Sequence, residues 1–396
     1  MIHYSSQEYK CFSYKDTAYK KLDIERIKEY IDMKIAILGY GVVGSGAYEV
    51  AQTAHNIEVK RVLYKRPIDE LGDIVTTDYE DILKDEEIEL VAECIGGLHP
   101  AYEYVSAALK SGKHVVTPNK NLVAAYWDEL HDLAREHGSE FRYTASAGGG
   151  IPWLFNLKRQ SRSDDILSIS GIVNGTCNYI LDTMHNEPVD FAEILAKAQE
   201  LGYAEKDPTA DIGGFDTQRK CVISANLAFG TSISEKDVPV FGIQNITAGD
   251  IKYFNEHGYT CKLLMNAGQT AAGAYAYVEP TLVGRGALES SVPANNNLIS
   301  LTGNHIGTLS FYGQGAGKYP TGTSVIQDVL DIENGWKFSV ERDKNDVSVD
   351  NSLEAHRYYV RENGSCKITE PLSVTEAHRL ASESSDEHFF MAGIRE

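Results

Sequence analysis

The sequence predicts an α/β fold in which helices cover both faces of a doubly wound parallel sheet. Strand-like and helix-like runs alternate in strict order between residues 34 and 146, as in a sheet built from βα units. A glycine-rich turn connects the first strand to the first helix, and that strand is a short apolar run of the kind found in buried parallel strands. At 396 residues the chain is long enough for two or three domains.

The first strand-like run, residues 34–38, leads directly into a G-x-G-x-x-G turn formed by Gly39, Tyr40, Gly41, Val42, Val43 and Gly44. In such a turn the first glycine allows the tight bend, the second lets backbone approach a pyrophosphate, and the third lets the helix pack close to the strand. The helix N terminus then offers N–H groups to the phosphate. Because a helix-like run and a second strand-like run at 57–64 follow, we predict a Rossmann-type dinucleotide-binding domain.

The end of the second strand indicates which dinucleotide is preferred. Sites specific for NAD place a carboxylate there, where it accepts a hydrogen bond from the ribose 2′-hydroxyl. This chain has Lys65 and Arg66 instead, and two cations suit a 2′-phosphate. NADP(H) is therefore the predicted cofactor. If both cations are simply solvated, the loop accommodates NAD(H) as well.

The alternation continues with strand-like runs at 88–97, 113–118 and 140–146 and with helix-like runs at 99–112 and 121–138, which end at Gly112 and Gly138. Ligands of parallel sheets bind beyond the carboxyl ends of the strands. Residues at two of these ends are therefore expected to contact the cofactor, and they are Cys94, Ile95, Gly96, Gly97, Thr117 and Lys120.

Composition excludes several classes of function. The formal net charge is −20, which argues against broad binding of nucleic acids or anionic membranes, since both need a basic surface. No apolar run reaches the length of a membrane span and no apolar signal core is present near the N terminus. The six cysteines are far apart and form no CxxC pair, which is typical of reduced thiols in a cytoplasmic protein.

Residues 202–220, "GYAEKDPTADIGGFDTQRK", carry several carboxylates and end in a basic pair. One interpretation is a solvated acidic surface with an ordinary i,i+4 ion pair between Asp216 and Lys220. The other is a pocket that binds an ammonium group and holds a proton donor. A solvated helix would not be interrupted so often by glycine and proline, which favours the second interpretation.

Six stretches, taken together, resemble homoserine dehydrogenases: "GYGVVGSG", "VAECIGGLHPAYEYVSAALKSGKHVVTPNKNLVA", "YTASAGGGIP", "GIVNGTCNYIL", "LGYAEKDPTADIGGFDTQRKCVISANLAFG" and "GQGAGKYPTGTSVIQDV". The resemblance implies reversible, NADPH-dependent reduction of L-aspartate 4-semialdehyde to L-homoserine, on the route to threonine and methionine. The alternatives are an NADP-dependent oxidoreductase of another small aldehyde or hydroxy acid, and a non-catalytic NADP(H)-sensing protein.

The resemblance also implies the roles of individual residues. The substrate-binding positions it indicates are Glu205, Asp211, Asp216, Gly175, Thr176 and Tyr203. Lys220 matches the proposed proton donor of the family, and Lys120 matches a second lysine that would orient and polarise the substrate; the reverse division of roles is the alternative. Gly315 is a further implied cofactor contact.

A monovalent cation, usually sodium, is another implication of the resemblance. Its ligands would be the backbone carbonyls of Ala147, Gly149 and Ile151. Many relatives have an acidic side chain where this chain has Thr144, and a hydroxyl is a weaker cation ligand than a carboxylate. The ion would be structural.

The implied architecture is a Rossmann-type doubly wound parallel sheet plus a second α/β (α+β) domain for catalysis and dimerisation. We predict an N-terminal extension at 1–32, an NAD(P)-binding domain at 33–148 completed by a returning helix at 314–332, a substrate-binding and dimerisation domain at 149–313, and a reduced C-terminal α/β tail at 335–396. The tail shows two strand-like runs and one helix-like run, too few for a complete threonine-sensing ACT module. We therefore expect a homodimer with weak or no threonine inhibition.

Overall fold

The computed structural model describes residues 33–338 and 348–395. The predicted extension at 1–32 lies outside these residues. None of the helices in the described part of the chain combines the length and apolar character needed to cross a bilayer.

A six-stranded parallel sheet forms the first part of the molecule. Its strands are β1 (Met33–Leu38), β2 (Ile57–Leu63), β3 (Val75–Thr76), β4 (Leu90–Glu93), β5 (His114–Val116) and β6 (Phe141–Arg142). The order is β3-β2-β1-β4-β5-β6, and all five pairings are parallel. The strand order reverses between β1 and β4, and this reversal creates the crevice where doubly wound sheets bind ligands. The predicted fold class is confirmed.

The helices of this part are α1 (Val42–Ala51), α2 (Glu80–Leu83), α3 (Ala101–Lys110), α4 (Lys120–Ala125) and α5 (Trp127–Glu136). The prediction of one continuous helix over 121–138 is wrong. The chain leaves helical geometry at Tyr126, with φ −122° and ψ 32°, and the Tyr126 ring stacks on Tyr102 at 4.1 Å. Tertiary stacking therefore overrides a continuous helical pattern.

A second set of elements follows. Its helices are α6 (Trp153–Gln160), α7 (Gly175–Asn186), α8 (Phe191–Glu200), α9 (Thr209–Ile212), α10 (Phe215–Phe229) and α11 (Ala248–Glu256). Its strands are β7 (Ile166–Ile172), β8 (Tyr259–Thr270), β9 (Gly273–Gly284), β10 (Asn296–Gly303) and β11 (Gly307–Gln314). Helix α10 is almost wholly buried, with Cys221, Val222 and Ile223 inaccessible to solvent. It is the core helix of this domain.

The next helix, α12 (Lys318–Glu333), returns to the first sheet and packs against α1. The two helices approach closely because glycines line the contact. A Cβ atom on Gly46 would lie 2.3 Å from the Lys318 carbonyl oxygen, and one on Gly322 would lie 2.7 Å from the Ala47 nitrogen. Val325 and Val329 of α12 are fully buried in the same apolar cluster as Ala47.

The described tail contains β12 (Ala355–His356), β13 (Tyr358–Glu362), β14 (Ser365–Ile368), β15 (Leu372–Ser373), α13 (Val374–Glu383) and β16 (Phe390–Arg395). Strands β14 and β15 were not predicted, since the sequence indicated only two strand-like runs in the tail. Strand β16 pairs in parallel with β9 and antiparallel with β13. The tail thus completes an eight-stranded sheet of order β11-β10-β7-β8-β9-β16-β13-β14 within the same chain.

Candidate active site

Asp216, in the first turn of α10, lies between two lysines. Lys220 Nζ donates to Asp216 Oδ2 at 2.8 Å, and Lys120 Nζ lies 3.0 Å from Asp216 Oδ1. Lys220 follows one turn later on α10, as the i,i+4 spacing predicts. Lys120 comes from the first turn of α4, at the end of a strand of the other sheet. The site therefore forms where the two parts of the molecule meet.

Asn174 connects the two aspartates of this site. Its Nδ2 donates to Asp211 Oδ1 at 2.7 Å and to Asp216 Oδ2 at 2.8 Å. Its Oδ1 accepts from the Cys177 backbone N–H at 2.8 Å, so the same side chain caps α7. Asn174 was not among the residues predicted from the sequence. An asparagine directly before a helix-like run signals a cap, but nothing local indicates the two carboxylates that it also binds.

The charges in this cluster shift one another's pKa values. Burial lowers the pKa of Lys220, although the neighbouring Asp216 carboxylate opposes this effect. Asp216 raises the pKa of Lys120, which is only half-buried. Burial opposes ionisation of Asp216, yet the two lysines hold its pKa well below the usual range. Burial raises the pKa of Asp211. Of the two lysines, Lys220 gives up a proton more readily.

The other predicted substrate residues line the loops beside this cluster, with one exception. Thr176 Oγ1 donates to the Tyr203 carbonyl at 2.6 Å, which joins α7 to the loop after α8. Gly175 has no room for a side chain, because a Cβ atom there would lie 2.6 Å from the Asn295 carbonyl oxygen. Glu205 is exposed. In the described structure only its backbone carbonyl has a hydrogen-bond partner, Gln199 Nε2, so its carboxylate lies outside the cluster.

The glycine turn has the geometry that its sequence predicts. Gly39 has a φ of +95°, and a Cβ atom on Gly44 would lie only 2.0 Å from the Gly39 carbonyl oxygen. A Cβ atom on Gly41 would meet nothing within 4 Å, and Val42 is 68% exposed although it is apolar. Beside the turn, the Tyr40 ring makes edge contacts with Tyr48 and Tyr64. The open surface at the N terminus of α1 fits a dinucleotide phosphate.

Lys65 and Arg66 lie immediately beyond β2 and are exposed. Neither cation forms a salt bridge with a described residue. Both are thus available to an anionic ligand at the end of the strand where the ribose of a dinucleotide is bound in this fold.

Glu93 organises the loop that contains Cys94, Ile95, Gly96 and Gly97. It is fully buried, and its Oε1 accepts the N–H groups of Ile95 and Gly96 at 2.7 and 2.9 Å. Its Oε2 accepts the Thr117 hydroxyl at 2.6 Å. The loop also packs closely against the glycine turn, since a Cβ atom on Gly39 would lie 2.7 Å from the Cys94 carbonyl oxygen. The loop and Thr117 were predicted from the sequence, but the Glu93 carboxylate that joins them was not.

The segment around Ala147, Gly149 and Ile151 packs against Gly315, since a Cβ atom on Gly149 would lie 2.4 Å from the Gly315 carbonyl carbon. Ser324 Oγ donates to the Gly149 carbonyl at 2.6 Å, and the Trp153 N–H donates to the Ile151 carbonyl at 2.7 Å. Two of the three predicted cation ligands thus already accept hydrogen bonds. Among the described residues, no group of three or more histidine, cysteine, aspartate or glutamate side chains could hold a metal.

Two family models match the chain. The model described as homoserine dehydrogenase covers residues 152–330, and the model described as homoserine dehydrogenase, NAD binding domain, covers residues 39–144. The homoserine dehydrogenase of a Synechocystis species is 40% identical over 316 residues, which are 76% of this chain and 73% of that protein. The chain belongs to the homoserine dehydrogenase family. The predicted resemblance is confirmed, and enzymes of this family are oxidoreductases that act on a CH–OH group.

Other relatives agree with this assignment. The homoserine dehydrogenase of Bacillus subtilis is 38% identical over 322 residues, 78% of this chain and 74% of that protein. The solved homoserine dehydrogenase of Thiobacillus denitrificans superposes with a TM-score of 0.83 at 28% identity, covering 92% of this chain and 98% of that chain. A hyperthermophilic archaeal homoserine dehydrogenase solved in complex with NADPH has a TM-score of 0.67 at 21% identity, over 77% of this chain and 98% of that one, and shows the shared fold.

Proposed function

We propose that this homoserine dehydrogenase reversibly reduces L-aspartate 4-semialdehyde to L-homoserine with NADPH, in the biosynthesis of threonine and methionine. The observation that supports this proposal most strongly is the convergence of Lys120 and Lys220 on Asp216, next to Asp211. An amino-acid aldehyde needs acids for its ammonium group and a cation at its reacting oxygen. This cluster offers both within one site.

The ammonium group of the substrate would bind carboxylates through charge-assisted hydrogen bonds. Asp211 is suited to this because its carboxylate is partly buried and only an amide, that of Asn174, bonds to its side chain in the described structure. An arriving cation would favour its ionised form. Glu205 is the second proposed acid. Because it is exposed, it would contact the substrate from the solvent side, with Gly175, Thr176 and Tyr203 contributing the adjoining wall.

NADPH, when bound, supplies the hydride that reduces the aldehyde carbon. The carbonyl oxygen then gains negative charge and needs a proton. Lys220 is the proposed donor, because burial lowers its pKa and only two of its three N–H groups are engaged, by Asp216 and by the Val173 carbonyl. Lys120 would keep its proton, since Asp216 raises its pKa, and would polarise the same oxygen as a permanent cation.

The preference for NADP(H) rests on Lys65 and Arg66, which are exposed at the end of β2 without ionic partners among the described residues. The glycine turn and the loop at 94–97 would bind the rest of the cofactor, with Thr117 and Gly315 at its edges. The archaeal relative that was solved with NADPH supports this choice. NAD(H) remains the second cofactor to test.

Three further features belong to the proposal. By its membership of the family, the protein would be cytoplasmic and would form a homodimer through its second domain. Sodium at Ala147, Gly149 and Ile151 would be structural, and the proposed reaction involves no step that depends on it.

The proposal is tested by following nicotinamide absorbance at high pH, where release of a proton favours oxidation of homoserine. We expect turnover with homoserine and NADP⁺, and a rise in the KM for NADP⁺ but not for NAD⁺ when Lys65 and Arg66 are both replaced by alanine. A panel of small hydroxy acids provides the comparison. Oxidation of another hydroxy acid in place of homoserine, or cofactor binding with no turnover of any substrate, would reject the proposed reaction.

A further inference from the structure

Glu93 ends β4 at the crevice between β1 and β4, the place where a doubly wound sheet binds its ligand. The side chain is completely buried. Buried carboxylates are normally paired with a cation, but Glu93 forms no salt bridge with any described residue. Its chemical role is therefore not explained by an ion pair.

The hydrogen bonds around Glu93 are those that an ionised carboxylate makes. Two backbone N–H groups, those of Ile95 and Gly96, donate to Oε1. The Thr117 hydroxyl accepts from the Asn119 N–H at 2.9 Å and has Glu93 Oε2 as the acceptor for its own hydrogen at 2.6 Å. An ionised carboxylate only accepts hydrogen bonds, and this arrangement satisfies every one of these donors.

The same hydrogen bonds connect both halves of the site. Asn119 Nδ2 donates to the Gly97 carbonyl at 2.7 Å, and Asn119 Oδ1 accepts from the Leu122 N–H, which caps α4. Helix α4 begins with Lys120, and Lys120 contacts Asp216. Glu93 thus holds the loop that backs the glycine turn and, through Thr117 and Asn119, the helix that carries Lys120.

We propose that Glu93 is a positioning residue for the nicotinamide end of the cofactor site, and that its buried charge favours the oxidised dinucleotide over the reduced one. The oxidised nicotinamide ring carries a positive charge that the reduced ring lacks. A fixed negative charge at the end of β4, in surroundings poorer in water than bulk solvent, attracts the charged ring and is indifferent to the neutral one. This inference rests on the proposed use of a nicotinamide dinucleotide.

The test measures the dissociation constants of NADPH and NADP⁺ separately, by fluorescence titration or calorimetry without substrate. Glu93→Gln keeps the length of the side chain, can accept the same two N–H groups and removes the charge. We expect it to weaken NADP⁺ about tenfold relative to NADPH. Glu89→Gln is the matched control, because Glu89 is an exposed carboxylate just before the opposite end of β4, and it should leave the ratio of the two constants unchanged.

Glu93→Asp separates charge from position. It retains the carboxylate but shortens its reach, so both cofactors should bind more weakly while their ratio stays that of the unmodified protein. If Glu93→Gln fails to fold, this variant still decides, since a changed ratio with the charge retained contradicts the proposal. A folded Glu93→Gln variant whose ratio of NADP⁺ to NADPH dissociation constants is unchanged, because both cofactors are weakened equally or not at all, also overturns it. Failure of the unmodified protein to bind either dinucleotide would instead reject the proposed function.

Discussion

Asp216 and Glu279 are two buried carboxylates of the second domain, and each lies between two basic side chains. The partners of Asp216 are lysines, one from α4 and one from its own helix. The partners of Glu279 are imidazoles, both from the C-terminal tail. The two clusters use the same arrangement of charge, but they differ in the bases that complete it.

Glu279 lies on β9 and is inaccessible to solvent. His356 Nε2 lies 2.9 Å from its Oε1 and His378 Nε2 lies 3.0 Å from its Oε2, while the Tyr358 hydroxyl donates to Oε2 at 3.4 Å. Burial opposes ionisation of Glu279, yet the two histidines hold its pKa below the usual range. These contacts attach β12, β13 and α13 of the tail to the sheet.

The two clusters differ in role because they differ in their basic residues: the lysines at Asp216 suit catalysis, and the histidines at Glu279 suit anchoring of the tail. Lysines stay charged through the neutral range unless burial lowers their pKa, so a lysine pair can combine a permanent cation with a proton donor. The imidazoles of His356 and His378 instead contact Glu279 from the tail and attach the tail to the sheet. We therefore expect changes at Asp216 to act on turnover and changes at Glu279 to act on stability.

The largest expected effect comes from replacing the proposed proton donor. Lys220→Ala should lower kcat about 10²- to 10⁴-fold, the usual contribution of a positioned acid, with cofactor binding largely retained because the glycine turn is untouched. Steady-state kinetics and cofactor titration measure the two quantities. Lys206→Ala, which removes an exposed lysine of the same loop, is the control. A Lys220→Ala variant that keeps most of its rate would contradict the assignment.

Removing the shared carboxylate should have the next largest effect. In Asp216→Asn the two lysines lose their counter-ion, so the pKa of Lys220 should fall further. The reduction rate, which needs protonated Lys220, should then decline at a pH about 1–3 units lower than in the unmodified protein. A pH–rate profile measures this shift, and Asp207→Asn, at an exposed aspartate of the same loop, is the control. An alkaline limb that stays in place would show that Asp216 does not set the acidity of the donor.

Glu279→Gln should lower the free energy of unfolding by about 2–3 kcal/mol at pH 7, because charged hydrogen bonds to two histidines are lost. The rate per folded molecule should change little. Since the folded-state pKa of Glu279 is depressed, its contribution is present above the ordinary glutamate pKa and is lost as the pH falls through the folded-state value. In denaturant melts, the variant and the unmodified protein should therefore differ in stability at pH 7 and converge at acidic pH.

The control for this change is Glu383→Gln. Glu383 pairs with Arg379 on the exposed face of α13, and an exposed pair contributes little. Equal destabilisation by the buried and the exposed substitution would show that the contacts of Glu279 do not anchor the tail.

The smallest expected effect is that of threonine. Strands β13, β14 and β16 of the tail are used to complete the eight-stranded sheet of their own chain. Threonine added at increasing concentration should leave the reduction rate unchanged. A strong, saturable inhibition would show that the tail regulates the site as well as anchoring to the sheet.

Contacts between residues close in the chain were predictable from the sequence. The glycine turn follows from Gly39 and Gly44, since Gly39 has the positive φ that glycine favours and Gly44 allows a close contact with the Gly39 carbonyl oxygen. The pair of Asp216 and Lys220 follows from the helical repeat. The order of strands and helices likewise determined the doubly wound sheet, because parallel βα units have few topologies.

The remaining contacts were decided by the tertiary structure. Thr117 meets Glu93 across 24 residues, Asp216 meets Asn174 across 42, and His378 meets Glu279 across 99. A local pattern reports propensity and periodicity, but it carries no information about which distant polar groups will share one buried space. Those partners follow from packing, because each buried charge or donor must find a hydrogen-bonding group wherever the folded chain brings one close enough.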